Sequence, residues 1–213
     1  MDSCCNNLYN NTFDQKRARK ELSNYLKKGV KKNSRVIISP LLKLDLQDKT
    51  LLDIGGGSVE LIFELSGHGL KQVTYVEISD SYTMVFRDEN EKRNLADITE
   101  IITGDFVDHH SRIKAHDLVT LDKVICCYED YQVLVNHAID KATRWIAYSV
   151  PDDKWWVKLV HKMKVFTKLF IKNSMRTYIH PVLEIEQMIA KKGFIKIYEK
   201  RKREWLTLIF ERN

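Results

Sequence analysis

Leu51-Leu52-Asp53-Ile54-Gly55-Gly56-Gly57-Ser58 is the stretch whose reading decides the fold. A short apolar run ends in a carboxylate, three glycines follow, and an amphipathic segment begins. One glycine suffices for a tight turn. Three in succession, where a strand hands over to a helix, keep side chains away from the point where a ligand meets the backbone of a doubly wound sheet. A phosphate loop needs GxxxxGK[ST], and no lysine stands at that spacing. A dinucleotide fingerprint needs a small residue at position 60 for close helix–strand packing, and Glu60 is there. What remains is an acid-x-Gly-x-Gly pattern at a strand's carboxyl end.

Outward from this stretch, apolar runs alternate with helical periodicity, the signal of a parallel α/β sheet. The pattern predicts strands at Thr50–Ile54, Gln72–Ile78, Ile98–Thr103, Asp117–Asp122 and Arg144–Val150. Helices are expected at about Ser58–Leu65, Ser81–Asn94, Asp108–Ile113 and Asp130–Ala142. Upstream, Thr12-Phe13-Asp14-Gln15 reads as a capping box. The helix it opens carries a stripe of Ala18, Leu22, Tyr25 and Leu26 and stops at Gly29. A second short helix, Val36–Leu42, is disturbed by Pro40. Downstream come a basic amphipathic stretch, Asp152–Lys172, and a helix at Pro181–Lys192. Phe194–Lys200 and Trp205–Glu211 then have only a charged turn between them, so they pair antiparallel.

The chain has 213 residues, 44% apolar and 30% charged, with 3 Pro and 8 Gly. That excludes collagen-like, low-complexity and largely disordered classes, and it is enough chain for one self-sufficient core. The net charge of +6 permits an anionic partner without requiring one. No uncharged apolar run approaches the ~18 residues of a membrane span. Met1–Asn7 has neither a basic nor an apolar segment of a secretion signal, so a cytoplasmic location is expected.

Two further carboxylates stand where a nucleoside would need them. Glu77 ends the second strand, where a carboxylate accepts from both ribose hydroxyls. Asp105 follows the third strand in Thr103-Gly104-Asp105-Phe106. Together with the Asp53 and glycine pattern, this resembles class I S-adenosylmethionine-dependent methyltransferases, with Val59 where many members carry a third glycine. The segments Asp117–Asp130, Val150–Trp156, Ile179-His180-Pro181 and Trp205–Arg212 are similar to a group named by similarity to magnesium-protoporphyrin O-methyltransferase. The likeness runs over nearly the whole chain. It implies a Rossmann-like α/β fold with a seven-stranded sheet, order 3-2-1-4-5-7-6 and last strand antiparallel. It also implies an N-terminal helical cap, residues 1–45, on a methyltransferase domain, residues 46–213, with an insert-like amphipathic helix at 152–180. The cofactor it implies is S-adenosyl-L-methionine, held by Asp53, Gly55, Gly56, Gly57, Glu77, Ile78, Asp105, Phe106 and Leu121.

The acceptor is a small molecule on this reading, with large apolar or tetrapyrrole-like compounds as the candidate class. RNA or protein methylation, and cofactor binding without transfer, are the alternatives. Asp122, Tyr128 and Asp130 are the candidates for catalysis, because they follow the fourth strand. Trp156, Phe166 and His180 are the candidates for the acceptor. In Asp152–Lys172 large apolar residues recur at helical spacing among lysines. That suits a covering helix, a lid over an apolar substrate, or peripheral contact with an anionic membrane. The basic residues are not interleaved with aromatics on a recognisable nucleic-acid fold, which argues against a nucleic-acid partner. No metal is expected. The weak alternative is a soft-metal site should Cys4 and Cys5 meet Cys126 and Cys127.

Overall fold

The computed structural model describes residues 12–57, 59–168 and 177–213, with residues 164–168 described by backbone alone. Seven strands form one sheet in the order β3-β2-β1-β4-β5-β7-β6. They are β1 (Thr50–Ile54), β2 (Gln72–Glu77), β3 (Thr99–Thr103), β4 (His116–Asp122), β5 (Ala142–Pro151), β6 (Phe194–Lys202) and β7 (Trp205–Arg212). The first five run parallel, and β7 is antiparallel to both β5 and β6. This is the Rossmann-like sheet expected.

Strand β1 lies at the centre and is buried on both faces, which is why it reads as a continuous apolar run. Leu52 and Ile54 pack with α6 (Tyr131–Lys141) and α8 (Val182–Lys191) through Leu134, Ile139 and Ile185. Leu51 faces the other way, toward α2 (Arg35–Leu41), α3 (Glu60–Ser66) and Phe86 of α4 (Asp80–Lys92). The strand order reverses beside β1, between β2 and β4, and this is where a doubly wound sheet opens its ligand crevice.

Helix α1 (Gln15–Lys28) lies against α4. Its entry is fixed by Ser79, whose hydroxyl donates to the Phe13 carbonyl at 2.8 Å, and by Phe13 standing edge-on to Tyr82 at 5.7 Å. Several expectations need correction. The capping residue is Asp14, not Thr12: its carboxylate accepts from Arg17 N–H at 2.8 Å. Of the predicted stripe, Ala18 and Tyr25 are buried and Leu22 partly so, but Leu26 is 54% exposed.

Pro40 sits inside α2 instead of breaking it. A proline there removes the N–H that would satisfy the Val36 carbonyl, and the Tyr198 hydroxyl donates to that carbonyl at 3.3 Å. The α5 turn (Phe106–His109) starts two residues before the predicted Asp108, because Asp105 caps it. Helix α7, described over Trp155–Lys168, starts three residues after the predicted Asp152. Asp152 instead directly follows β5, and its buried carboxylate pairs with Arg201 of β6 at 3.0 Å. Residues 169–172 of that call lie outside the described residues. Among the described residues no helix is long and apolar enough to cross a membrane.

Candidate cofactor and acceptor site

The three glycines serve three different needs. Gly55 has φ +64°, and a Cβ there would meet Val124 Cγ2 at 2.6 Å. Gly56 presses on the layer beneath, where a Cβ would lie 2.3 Å from Asp53 Oδ2 and 2.6 Å from the Tyr75 ring. Gly57 has room for a Cβ, with nothing nearer than Glu77 Oε2 at 3.6 Å, but it faces the crevice. A longer side chain at 57 would occupy ligand space.

Carboxylates gather at the carboxyl ends of the strands. Asp53 Oδ1 accepts from the Thr120 hydroxyl at 2.6 Å, while Oδ2 is buried without a hydrogen-bond partner among the described residues. Burial pushes the Asp53 carboxyl up to about 7; the Thr120 bond opposes this, and the charges of Asp122 and Glu77 add to it. Glu77 accepts from Gly57 N–H at 3.0 Å and from Ser79 N–H at 2.8 Å. It therefore ties the glycine loop to the start of α4. Burial also pushes Glu77 up to about 7, against its backbone hydrogen bonds. Asp105 Oδ1 accepts from Val107 N–H at 2.9 Å and from the Tyr128 hydroxyl. Asp122 Oδ2 pairs with Lys123 at 3.1 Å, and its Oδ1 is buried without a partner among the described residues.

These groups border a cavity of about 530 Å³. Gly55, Gly57, Val76, Glu77 and Ile78 form its floor, and Gly104, Asp105, Phe106 and Tyr128 close the β3 end. Toward β4 it is lined by Asp122, Lys123, Val124, Cys126, Cys127 and Trp205. Phe13, Arg17 and Glu21 of the α1 region, Tyr82 of α4, and Lys31, Asn33 and Ser34 of the following loop cover it.

Residues 52–142 match the family described as methyltransferase domain. The match runs from β1 to the start of β5 and takes in Asp53, the three glycines, Glu77 and Asp105. No curated protein matches the sequence. Among solved structures, the chain resembles magnesium protoporphyrin IX methyltransferase from Synechocystis with S-adenosylmethionine bound. That pair shares 17% identity and a TM-score of 0.68, covering 100% of this chain and 98% of the other. An O-methyltransferase family protein from Burkholderia thailandensis shares 14% identity and a TM-score of 0.71, covering 96% of this chain and 63% of the other. An O-methyltransferase family 2 protein from Planctomyces limnophilus, in complex with apigenin, shares 13% identity and a TM-score of 0.64, covering 93% and 62%. These likenesses speak for the fold. The chain spans less than two thirds of the length of the last two proteins.

The site fits the cofactor. Gly57 leaves a cradle that a side chain would fill, and unpartnered buried oxygens of Asp53 and Asp122 give it a negative interior suited to a cationic ligand. Of the residues predicted for the cofactor, Gly55, Gly57, Glu77, Ile78, Asp105 and Phe106 line the cavity, and Asp53 and Gly56 lie just beneath it. Leu121 does not line it, because strand alternation turns its side chain into the α6–α8 core.

Of the catalytic candidates, Asp122 and Tyr128 line the cavity. Asp130 is exposed and caps α6, accepting from Val133 N–H at 3.4 Å. Of the acceptor candidates, Trp156 is exposed on α7 and lines no part of the cavity. His180 stacks on Tyr131 at 4.3 Å and its Nε2 donates to the Tyr128 carbonyl at 2.8 Å, so it braces the loop from behind. Burial lowers the His180 pKa. The Phe166 side chain lies outside what is described, as do Cys4 and Cys5. Cys126 and Cys127 are free thiols on the cavity wall, and Cys126 is pushed well up by its hydrogen bond with Cys127 and by burial. Phe13, Arg17, Lys31, Tyr82, Lys123 and Trp205 also line the cavity and were not among the predicted site residues, although Lys123 and Trp205 lie in segments that carry the family resemblance.

Proposed function

We propose that this protein transfers the methyl group of S-adenosylmethionine to a small organic acceptor bound at the Asp122–Trp205 end of the cavity. The observation that carries this is the roof. Phe13, Arg17, Glu21, Lys31, Asn33 and Ser34 line the cavity together with the strand ends, and its volume of about 530 Å³ is in the size range of small-molecule sites. In this reading residues 1–45 are a cap that completes the site.

When bound, the cofactor supplies a methyl group on a positively charged sulfonium. Glu77 has lone pairs left for ribose hydroxyls, and Asp105 with Phe106 faces the base. Arg17, paired with Glu21 at 3.2 Å, and Lys31, paired with Glu21 and Glu60, are cations on the cavity wall that would meet the cofactor's carboxylate. Holding two reactants in line supplies much of the rate in such a displacement. Asp122 is the carboxylate positioned to orient the sulfonium or take an acceptor proton. Val124 and Trp205 favour an apolar acceptor, in keeping with the large apolar or tetrapyrrole-like class.

The test is a screen with methyl-labelled cofactor against tetrapyrroles, lipids, aromatic metabolites and RNA. Label is expected on a small molecule. Label on RNA alone, with binding that weakens steeply with salt, would overturn this reading.

A further inference from the structure

We infer that α7 docks this protein onto an anionic lipid surface. Trp155, Trp156, Leu159, Val160 and Met163 are all exposed, Trp155 at 77% and Met163 at 64%. With 3.6 residues per turn they share one side of the helix, within an arc of roughly 140°. The domain-facing side carries much less: Val157 is buried, and His161 Nε2 donates to the Thr177 carbonyl at 2.9 Å. Exposed Lys154, Lys158 and Lys162 fill the arc between these two sides.

A helix that merely covers a domain turns its large apolar residues inward. Here the inward side holds a valine and a histidine, and the tryptophans face out. The charge pattern selects the occupant. No aspartate or glutamate occurs from position 154 to 183; Lys154 pairs with Asp152 at 3.8 Å, which leaves Lys158 and Lys162 as the charged border. An apolar face bearing tryptophan, edged by lysines, is the chemistry of a helix lying in the headgroup layer. The apolar face sinks to the acyl boundary and the ammonium groups meet lipid phosphates. Leu183, 65% exposed, stands in the first turn of α8. Asp153 Oδ2 accepts from Val182 N–H at 3.2 Å and holds the start of α8 beside the start of α7.

Thr177 also lines the cavity, so the His161 bond ties the docking helix to the acceptor end of the site. A docked α7 would hold that end close to the bilayer. The docking itself does not depend on which acceptor is methylated.

The experiment is co-sedimentation of the full chain with phosphatidylcholine vesicles, with and without phosphatidylglycerol, at low and high salt. Binding is expected to the anionic vesicles and should weaken on the order of tenfold without phosphatidylglycerol or at high salt. Two double variants, Trp155→Ser with Met163→Ser and Lys158→Glu with Lys162→Glu, should each lose about tenfold in vesicle binding. Both should keep wild-type affinity for S-adenosylhomocysteine by calorimetry, which reports an intact fold. A wild-type chain that stays in the supernatant with anionic vesicles overturns the inference, as do variants that bind them equally well. A dimer in sedimentation equilibrium that these substitutions dissolve, without vesicle binding, assigns the face to a second copy and overturns it too.

Discussion

The Thr120 hydroxyl donates to Asp53 Oδ1 at 2.6 Å, across a β4–β1 register in which the two residues are direct partners. This is the one hydrogen bond described for a carboxylate that is otherwise walled in. Thr120→Val keeps the shape and removes the donor. It should cost about 1–3 kcal/mol of stability, the scale for a buried group left unpaired. Chemical denaturation of the ligand-free protein measures this. An unchanged midpoint would mean that the bond contributes nothing.

Gly56 and Gly57 should behave oppositely. Gly56→Ala drives a methyl group into Asp53 and Tyr75, both buried, so the fold itself should suffer. Gly57→Ala meets only ordinary contacts at 3.6–3.8 Å and should fold normally. Thermal denaturation of the two variants side by side decides the point. Equal melting temperatures would contradict the assignment of separate roles.

The glycine loop was legible in the sequence because its needs are local: one positive φ, one close approach and one open face, all within a few residues of a strand end. Glu77 and Asp105 were legible for the same reason, since each lies at or just past the end of a strand. An N-terminal cap was expected from the resemblance, but which of its side chains reach the cavity was not legible. Phe13 and Tyr82 meet through tertiary packing of α1 on α4, and no periodicity joins positions so far apart. Leu121 was misread because nearness to a strand's end was taken without its face, and strand alternation points it into the core. The α7 stripe was read correctly as apolar. Which side faces solvent depends on where Val157 and His161 find partners, and that is a tertiary fact.

Proton release should accompany cofactor binding. Asp53 and Glu77 are both pushed up to about 7 in the ligand-free protein, against roughly 4 in an unfolded chain. Between these values the folded state holds protons that the unfolded chain has lost. The contribution of these two groups to stability is thus full below pH of about 4 and is lost as pH rises through about 7. A cationic ligand favours the ionised carboxylates, so it should bind more tightly as pH rises through the same range. Calorimetry at pH of about 6.5 in buffers of different ionisation enthalpy should report net proton release. Net uptake would contradict the electrostatic account.

Tyr128 separates a cofactor role from an acceptor role. Its hydroxyl donates to Asp105, which also caps α5. Tyr128→Phe keeps the ring on the cavity wall and removes that bond. The KM for S-adenosylmethionine should rise several-fold, in line with the loss of a hydrogen bond to a charged group, while kcat at saturating cofactor stays close to wild type. A fall in kcat with unchanged KM would place the hydroxyl in methyl transfer.

Glu77 should matter through geometry as much as charge. Both its oxygens accept from backbone N–H groups, so Glu77→Gln replaces one acceptor by a donor facing a donor. Affinity for S-adenosylhomocysteine should drop by about 1–3 kcal/mol. Wild-type affinity in a folded variant would remove Glu77 from the site.

The central claim is that the crevice above Gly57 holds the cofactor, and titration calorimetry with S-adenosylhomocysteine tests it most directly. The wild-type chain should bind one equivalent. Gly57→Leu should keep the melting temperature of the ligand-free protein and show no heat of binding, because the leucine side chain enters the space the ligand needs. A wild-type chain that binds nothing, or a folded Gly57→Leu variant that binds as well as wild type, would contradict the claim.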